Sequence, residues 1–185
     1  MMRIIIFFIL NLMFITVKQS ETSNIKAFIN IHDQELLRQA ELERFLNNFG
    51  LSESGNNPDM INRIGCFGTF QFRESTLKTL GYNITLRDFK KNRSCYSVPI
   101  QKETMLKLIH ENEKSLSEVI KTWNGIYKIY KKDEILITKS GIIASAHLAG
   151  VNAVIQFLYY DNDKFVDYNG TKISNYMKKF AGYKF

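Results

Sequence analysis

Glu53 opens the stretch of this chain with the most chemical content. It stands in Glu53-Ser54-Gly55-Asn56-Asn57-Pro58, directly after an apolar periodic segment and beside Leu51. A carboxylate at a helix end next to a Gly-rich loop can sit in a partly desolvated cleft. Desolvation raises a carboxyl pKa, and a raised pKa supplies a general acid near neutral pH. Few other residues compete for a chemical role. Three His and two Cys are too few for a His-rich metal site or a four-ligand zinc cluster. Asp161, Asp163, Asp167 and Asn169 suggest a calcium loop, but Phe165 breaks the spacing that calcium ligands need. Turn and helix-capping roles are expected there instead. Asp59 and Glu74 read as solvated surface groups, so no second carboxylate carries a motif. No metal or cofactor is expected. Cys66 and Cys95 either bridge or remain two unpaired thiols; a bridge would close a loop of about 30 residues and stabilise by about 3 kcal/mol.

The composition bounds what these groups can serve. The chain has 185 residues, is 45% hydrophobic and 23% charged, and carries a formal +7. That balance suits one globular domain and excludes wholesale disorder. The start, Met1-Met2-Arg3, is positive, and Ile4 to Val17 is apolar apart from Asn11 and Thr16. Such a run fits a signal-peptide core and is too short to span a bilayer. Residues 1–20 are therefore expected to be an export signal, with residues 21–185 as one domain. No small-x-small pattern marks the cleavage site, and an uncleaved anchor is the alternative. Without Arg3 and Lys18 the remainder holds 23 basic and 18 acidic residues, or +5. A basic exported protein suits a polyanionic partner, whether nucleic acid, anionic lipid or cell-wall polymer, and charge alone does not choose among them. Export argues against nucleic acid.

The elements that must position Glu53 read as mostly helical. Asp33 caps a helix to about Asn48, with Leu36, Leu37, Ala40, Phe45, Leu46 and Phe49 on one face and Gly50 as its stop. Residues 51–72 read as loop mixed with short helix, and Ser75 to Leu80 as a short helix ended by Gly81. Residues 82–100 look irregular, with room for a helical turn near Asp88. Gln101 to Trp123 is strongly periodic, with a candidate break between Asn112 and Ser115. Gly125 to Ile137 suggests a small β-hairpin turning near Lys131–Glu134. Thr138 or Ser140 caps an apolar helix from about Gly141 to Tyr159, whose small residues admit a close neighbour. Asp161 to Gly170 is a loop, and Thr171 is expected to cap a last helix to Phe180.

The span from Glu53 to Gln71 resembles the active-site segment of soluble lytic transglycosylases and goose-type lysozymes. That pattern has Glu-Ser, then an Asn-Pro pair, then Gly-x-x-Gly-x-x-Gln, here Glu53-Ser54, Asn57-Pro58 and Gly65, Gly68 and Gln71. Thr76 and Gly81 fall where the family's next helix has Thr and Gly. Ala146-His147-Leu148-Ala149-Gly150 followed by Val154 resembles the family's Ala-Tyr-Asn-Ala-Gly helix, with His147 in place of Tyr and Leu148 in place of Asn. Asn62 stands where Ser is common. The resemblance covers residues 33–183.

The resemblance implies a mainly α, lysozyme-like fold, with two helical lobes around a glycan cleft. It implies a secreted or periplasmic, monomeric enzyme that cleaves the β-1,4 bond between MurNAc and GlcNAc in peptidoglycan. It assigns Glu53 as the single acid/base, with Asn62, Gly68, Phe70, Gln71 and His147 as candidate substrate contacts; a bond from Gln71 to the backbone, a turn at Gly68 and an interior position for His147 are the alternatives. Phe72 is expected in the core. A catalytically silent glycan-binding module on the same fold is the alternative, and chitin is a further candidate substrate. Apart from the signal segment, no membrane association is expected.

Overall fold

The computed structural model describes residues 29–167 and 170–185. The expected export signal, Tyr168 and Asn169 lie outside the described residues. The chain divides into two compact units, Met1–Glu41 and Leu42–Phe185. In the first, residues 29–41 are helical and an Arg38–Glu35 pair lies along the helix at 2.9 Å. The rest of the description concerns the second unit.

The secondary structure is mainly helical with one small antiparallel sheet. Helix α1 covers residues 29–54. It runs through Gly50 rather than stopping there. Its buried stripe is Phe45, Leu46 and Phe49, whereas Leu36 and Leu37, expected on the same face, are exposed. Residues 55–73 hold no helix; isolated bridges Ile61↔Phe67 and Phe67↔Phe72 shape them. Helix α2 is Glu74–Thr79, and the chain turns after it at Gly81 with φ +87°. Helix α3, Leu86–Lys91, starts at a reciprocal capping box between Thr85 and Asp88. A 3₁₀ turn, Arg93–Tyr96, leads into α4, Val98–Ser115, which begins with Pro near its first position, where no amide hydrogen is needed. Leu116 separates α4 from α5, Ser117–Trp123.

Strands β1, Tyr127–Tyr130, and β2, Asp133–Leu136, pair antiparallel with Tyr127 opposite Leu136. The hairpin legible in the β-favouring residues is therefore present. The apolar stretch after it is two helices, not one. Thr138 caps α6, Lys139–Ala149, by accepting from the Gly141 amide. Gly150, at φ +83°, ends it before α7, Val151–Tyr160. Periodicity missed this break because both helices are apolar. The last helix, α8, is Ile173–Lys179. Asp163 rather than Thr171 serves its start, accepting from the Ser174 hydroxyl at 2.6 Å and amide at 3.4 Å.

Two apolar clusters result. The first is rich in phenylalanine: Phe45, Phe49, Phe67, Phe72, Phe89 and Phe180 are all at most 2% exposed. Their rings interlock, with Phe67 stacked on Phe89 at 4.8 Å and Phe45 edge-on to Phe180 at 5.8 Å. Aromatic pairs in these arrangements add about 0.5–1.5 kcal/mol each beyond burial. The second cluster is aliphatic and includes Leu116, Ile135, Ile137, Val154 and Phe157. Helices α6 and α8 face both. Ile143 and Tyr176 join the first cluster, and Ile142 and Met177 join the second.

That double role needs α6 and α8 close together. A Cβ on Gly141 would lie 2.7 Å from the Met177 carbonyl oxygen. Gly141→Ala must therefore push the helices apart, and overpacking of this kind costs about 1–3 kcal/mol. Thermal unfolding should show a clearly lower midpoint. An unchanged midpoint would mean that the helices adjust freely. No helix among the described residues is long and apolar enough to cross a membrane.

Candidate active site

Glu53 sits on the final turn of α1, so the helix itself delivers it. Gly50 is what allows the following loop to fold back against this turn. A Cβ there would lie 2.3 Å from Asn56 Oδ1 and 2.8 Å from Thr69 Cγ2. Glycine in a helix interior costs about 1 kcal/mol relative to alanine, and here the close approach requires it. Ser54 then ties the helix end to the loop. Its hydroxyl donates to the Thr69 carbonyl at 2.8 Å and accepts from the Asn57 amide at 3.1 Å.

The loop from Gly55 to Phe72 is held by a residue that the sequence did not single out for this. Gln101, on α4, is 1% exposed. Its oxygen accepts from the Thr69 amide at 2.6 Å, and its nitrogen donates to the Pro58 and Tyr96 carbonyls at 3.0 and 2.8 Å. Three separate segments meet on one amide. Gly68, at φ +80°, is needed beside it, since a Cβ there would lie 2.9 Å from Gln101 Oε1. Gln101→Leu would leave buried backbone groups unpaired at about 1–3 kcal/mol each. It should lower the unfolding midpoint; an unchanged midpoint would contradict the role assigned to Gln101.

Helix α8 supplies the partner of Glu53. The Tyr176 hydroxyl donates a hydrogen bond to Glu53 Oε1. The Tyr176 ring is 5% exposed and packs edge-on against Phe49 at 6.1 Å. Nearly one turn further along, Lys179 donates to the Ser52 hydroxyl at 2.6 Å. Helix α8 thus places a hydroxyl and an ammonium around one carboxyl. Tyr176 was invisible as a site residue because its spacing with Ile173, Met177 and Phe180 reads as an ordinary core face.

This environment raises the Glu53 pKa from 4.5 to about 7. Burial is the main cause. The Tyr176 hydrogen bond opposes it by stabilising the carboxylate. The Asp167 charge raises the pKa further, and the Lys179 charge lowers it. Near neutral pH Glu53 is thus balanced between acid and base, the condition for moving a proton both ways. Tyr176 in turn is pushed upward by burial and by the Glu53 charge, so it remains a donor. Asp167, expected only in a turn or capping role, has a charge that acts on both groups. Its Oδ1 accepts from the Thr171 amide at 2.6 Å.

The other expected contacts fare differently. Asn62 turns its side-chain oxygen to the Ile64 and Cys66 amides at 3.1 and 2.9 Å, so that oxygen closes a turn. Phe70 is 6% exposed and belongs to the first apolar cluster, so it offers no open ring face for a sugar; Phe72 is in the core as expected. Gln71 is buried with a left-handed backbone, φ +52°, and its amide donates to the Gly68 carbonyl at 2.8 Å. The contact that the structure shows for Gln71 is therefore one to the backbone. His147 lies between the Phe49 and Phe72 rings, edge-on at 5.0 and 5.1 Å. Burial lowers its pKa to about 4, against the opposing pull of the Phe70 backbone, so it is neutral. Its Nδ1 has no hydrogen-bond partner. Leu148 packs against the first cluster. Cys66 and Cys95 are both free thiols, so the bridge is not formed.

Three further acids have structural contacts. Asp161 pairs with Lys128 at 2.5 Å, Asp163 serves the start of α8, and Glu74 accepts from the Leu86 amide at the start of α3. Among the described residues no group of three or more His, Cys, Asp or Glu is gathered to hold a metal. A cavity of about 270 Å³ is lined by Ser52, Lys179, Leu51 and Tyr183 among others. A larger one, about 640 Å³, is bounded by the hairpin, the end of α7, residues 161–164, Val166 and Lys172. Glu53 lines neither. No protein-family model, no curated protein and no solved structure matches the chain.

Proposed function

We propose that this protein is an exported glycosidase that cleaves the β-1,4 bond between MurNAc and GlcNAc in peptidoglycan. The single observation that carries the reading is a carboxyl raised to about pKa 7 and hydrogen-bonded by a buried tyrosine. The residues from Glu53 to Gln71 resemble the lytic transglycosylase and goose-type lysozyme pattern, and the mainly helical fold is compatible with it. In this reading the two apolar clusters correspond to the two lobes of a lysozyme-like domain, and residues 1–20 direct export.

The mechanism needs one carboxyl. Tyr176 occupies Oε1, which leaves Oε2 to carry the proton. Glu53 gives that proton to the glycosidic oxygen as the bond to the anomeric carbon breaks. The substrate's own 2-acetamido oxygen stabilises the cation by closing onto that carbon. Glu53, now a carboxylate, then takes a proton from the attacking hydroxyl. If that is the sugar's 6-hydroxyl, a 1,6-anhydro ring closes; if it is water, the product is a reducing end. Lys179 and Tyr176 stabilise the carboxylate between the two steps, and Asp167 favours reprotonation.

Mass spectrometry of soluble products from purified peptidoglycan tests this. Anhydro-muropeptides would establish a transglycosylase, and reducing-end muropeptides a muramidase. Absence of product from folded protein would overturn the enzymatic reading. If binding to insoluble peptidoglycan survived, the silent glycan-binding module would replace it. Leu148, half-buried against the first cluster where the resembling family has a polar Asn, is the feature that favours that second reading.

A further inference from the structure

Ser52 stands directly before Glu53 on the last turn of α1, and the proton transfer described for Glu53 gives it no task. Its surroundings give it one. The Lys179 ammonium donates to the Ser52 hydroxyl at 2.6 Å and lies 5.6 Å from the Phe180 ring. Ser52 and Lys179 both line the cavity of about 270 Å³, whereas Glu53 does not. The pair therefore has a wet outer side, and the carboxyl beyond it is buried. On α8, Tyr176 lies three residues before Lys179 and so shares its face of the helix.

Counting protons fixes the sense of these bonds. A lysine ammonium donates and never accepts. The Ser52 oxygen therefore accepts from Lys179, and its single proton points elsewhere. Tyr176 is the acceptor within reach. Burial, the Glu53 charge and the bond to Glu53 push the Tyr176 pKa upward, and a hydrogen bond from Ser52 pulls it down, as a donor to the phenol oxygen does. The Tyr176 proton goes in turn to Glu53 Oε1. The bonds form one chain with one direction, from Lys179 through Ser52 and Tyr176 to Glu53. Each bond in such a chain polarises the next, so the ammonium makes the Ser52 hydroxyl a stronger donor and a weaker acceptor.

Direction matters once Glu53 is protonated. A neutral carboxyl beside a phenol has two arrangements. It accepts from the phenol at Oε1 and carries its proton on Oε2, or it turns its own proton from Oε1 onto the phenol oxygen. The second arrangement makes Tyr176 donate back to Ser52. We propose that Ser52, backed by Lys179, is a positioning residue that fixes the direction of the Tyr176 hydroxyl and thereby keeps the Glu53 proton on Oε2. Its consequence for catalysis rests on the glycosidase reading above, in which Oε2 faces the bond to be cleaved. The groups acting on Glu53 are Tyr176 and Lys179 from α8 and Asp167 from the loop before it. Of these, only Tyr176 has a hydroxyl that can turn.

The test is a double-mutant cycle read on Glu53 itself, in the full protein. Carbon NMR titration of the glutamate carboxyls gives the Glu53 midpoint in the wild type, Ser52→Ala, Ser52→Thr, Tyr176→Phe and the Ser52→Ala/Tyr176→Phe double variant. Alanine favours a helix more than serine does, so the fold is kept. Ser52→Ala should raise the midpoint by about one pH unit, the size of one hydrogen bond, because the released tyrosine then accepts from the protonated carboxyl. Ser52→Thr keeps the hydroxyl and should titrate with the wild type. In the Tyr176→Phe background Ser52→Ala should change nothing, since Ser52 acts through the tyrosine. On peptidoglycan, Ser52→Ala should lower kcat about tenfold at unchanged KM, and Ser52→Thr should restore it. A midpoint unmoved by Ser52→Ala, or moved equally in the Tyr176→Phe background, would overturn the proposal and leave the glycosidase reading intact. An unchanged kcat in a Ser52→Ala protein whose midpoint moves would overturn the placing of the proton on Oε2. Absence of product from the wild type would defeat the glycosidase reading, and the midpoints would still decide the direction of the chain.

Discussion

Glu53→Gln should abolish turnover and, at pH 8, make the protein more stable than the wild type. The two effects have one origin. A carboxyl whose pKa rises from 4.5 to about 7 on folding is stabilising when protonated and costly when charged. Its contribution is fully present below pH 4.5 and is lost as pH rises through 7. A tenfold change in proton affinity is worth about 1.4 kcal/mol. For a partly exposed group this makes the wild type about 2–3 kcal/mol less stable above pH 7. Glutamine stays neutral and can still accept from Tyr176. The variant should therefore unfold several degrees higher at pH 8 and at nearly the same temperature at pH 4. Losing the acid should lower the rate by about 10²–10⁴-fold. Unfolding scans at both pH values, with product release measured in parallel, check both effects. A variant no more stable at pH 8 would mean that Glu53 is solvated and ordinary.

Tyr176→Phe should move the alkaline limb of activity to higher pH. The tyrosine hydroxyl stabilises the Glu53 carboxylate, so its removal makes the carboxyl harder to ionise. The phenyl ring keeps its place among Phe49 and Phe180. The rate below the limb should fall about tenfold, since Glu53 is then no longer held in one orientation. Lys179→Met should shift the limb in the same upward direction, because the ammonium also favours the charged form. Asp167→Asn should shift it downward, because a negative neighbour is removed. Shifts in opposite directions from neighbouring substitutions are hard to produce by general loosening. The measurement is kcat/KM against pH for the three variants. Three limbs unmoved from the wild type would show that these groups do not act on the reacting carboxyl.

The loop that follows Glu53 was legible because local sequence controls it. The Glu-Ser pair, Asn57-Pro58, Gly65 and Gly68 define a loop through backbone conformation and a helix end, and these are short-range requirements. Glu53 was singled out because that local pattern resembles the transglycosylase segment; by residue type alone it is an ordinary carboxylate at a helix end. The residues that tune it were not singled out. Tyr176 lies 123 positions away on a helix whose apolar spacing reads as core; Gln101 reads only as the first residue of a periodic segment; Asp167 reads as a turn or capping residue. Their roles depend on which helices meet, and periodicity cannot show that. The same limit explains Phe70 and His147. Their types suit sugar contact, but Phe70 is buried in the first cluster and His147 is half-buried between Phe49 and Phe72. The fold shows the same division. The short helix before Gly81 and the hairpin were legible from local signals. The break at Gly150 and the continuation of α1 through Gly50 were not. In both cases a glycine's role is decided by the conformation or contact around it, not by its identity.

The account rests on one carboxyl remaining protonated up to neutral pH. The most direct measurement is a carbon NMR titration of protein labelled at the glutamate side-chain carboxyl, with Glu53→Gln used to assign the signal. The account predicts a Glu53 midpoint near pH 7, set apart from the solvated glutamates. A midpoint near 4.5 would contradict it, because Glu53 would then be ionised at neutral pH and have no proton to give.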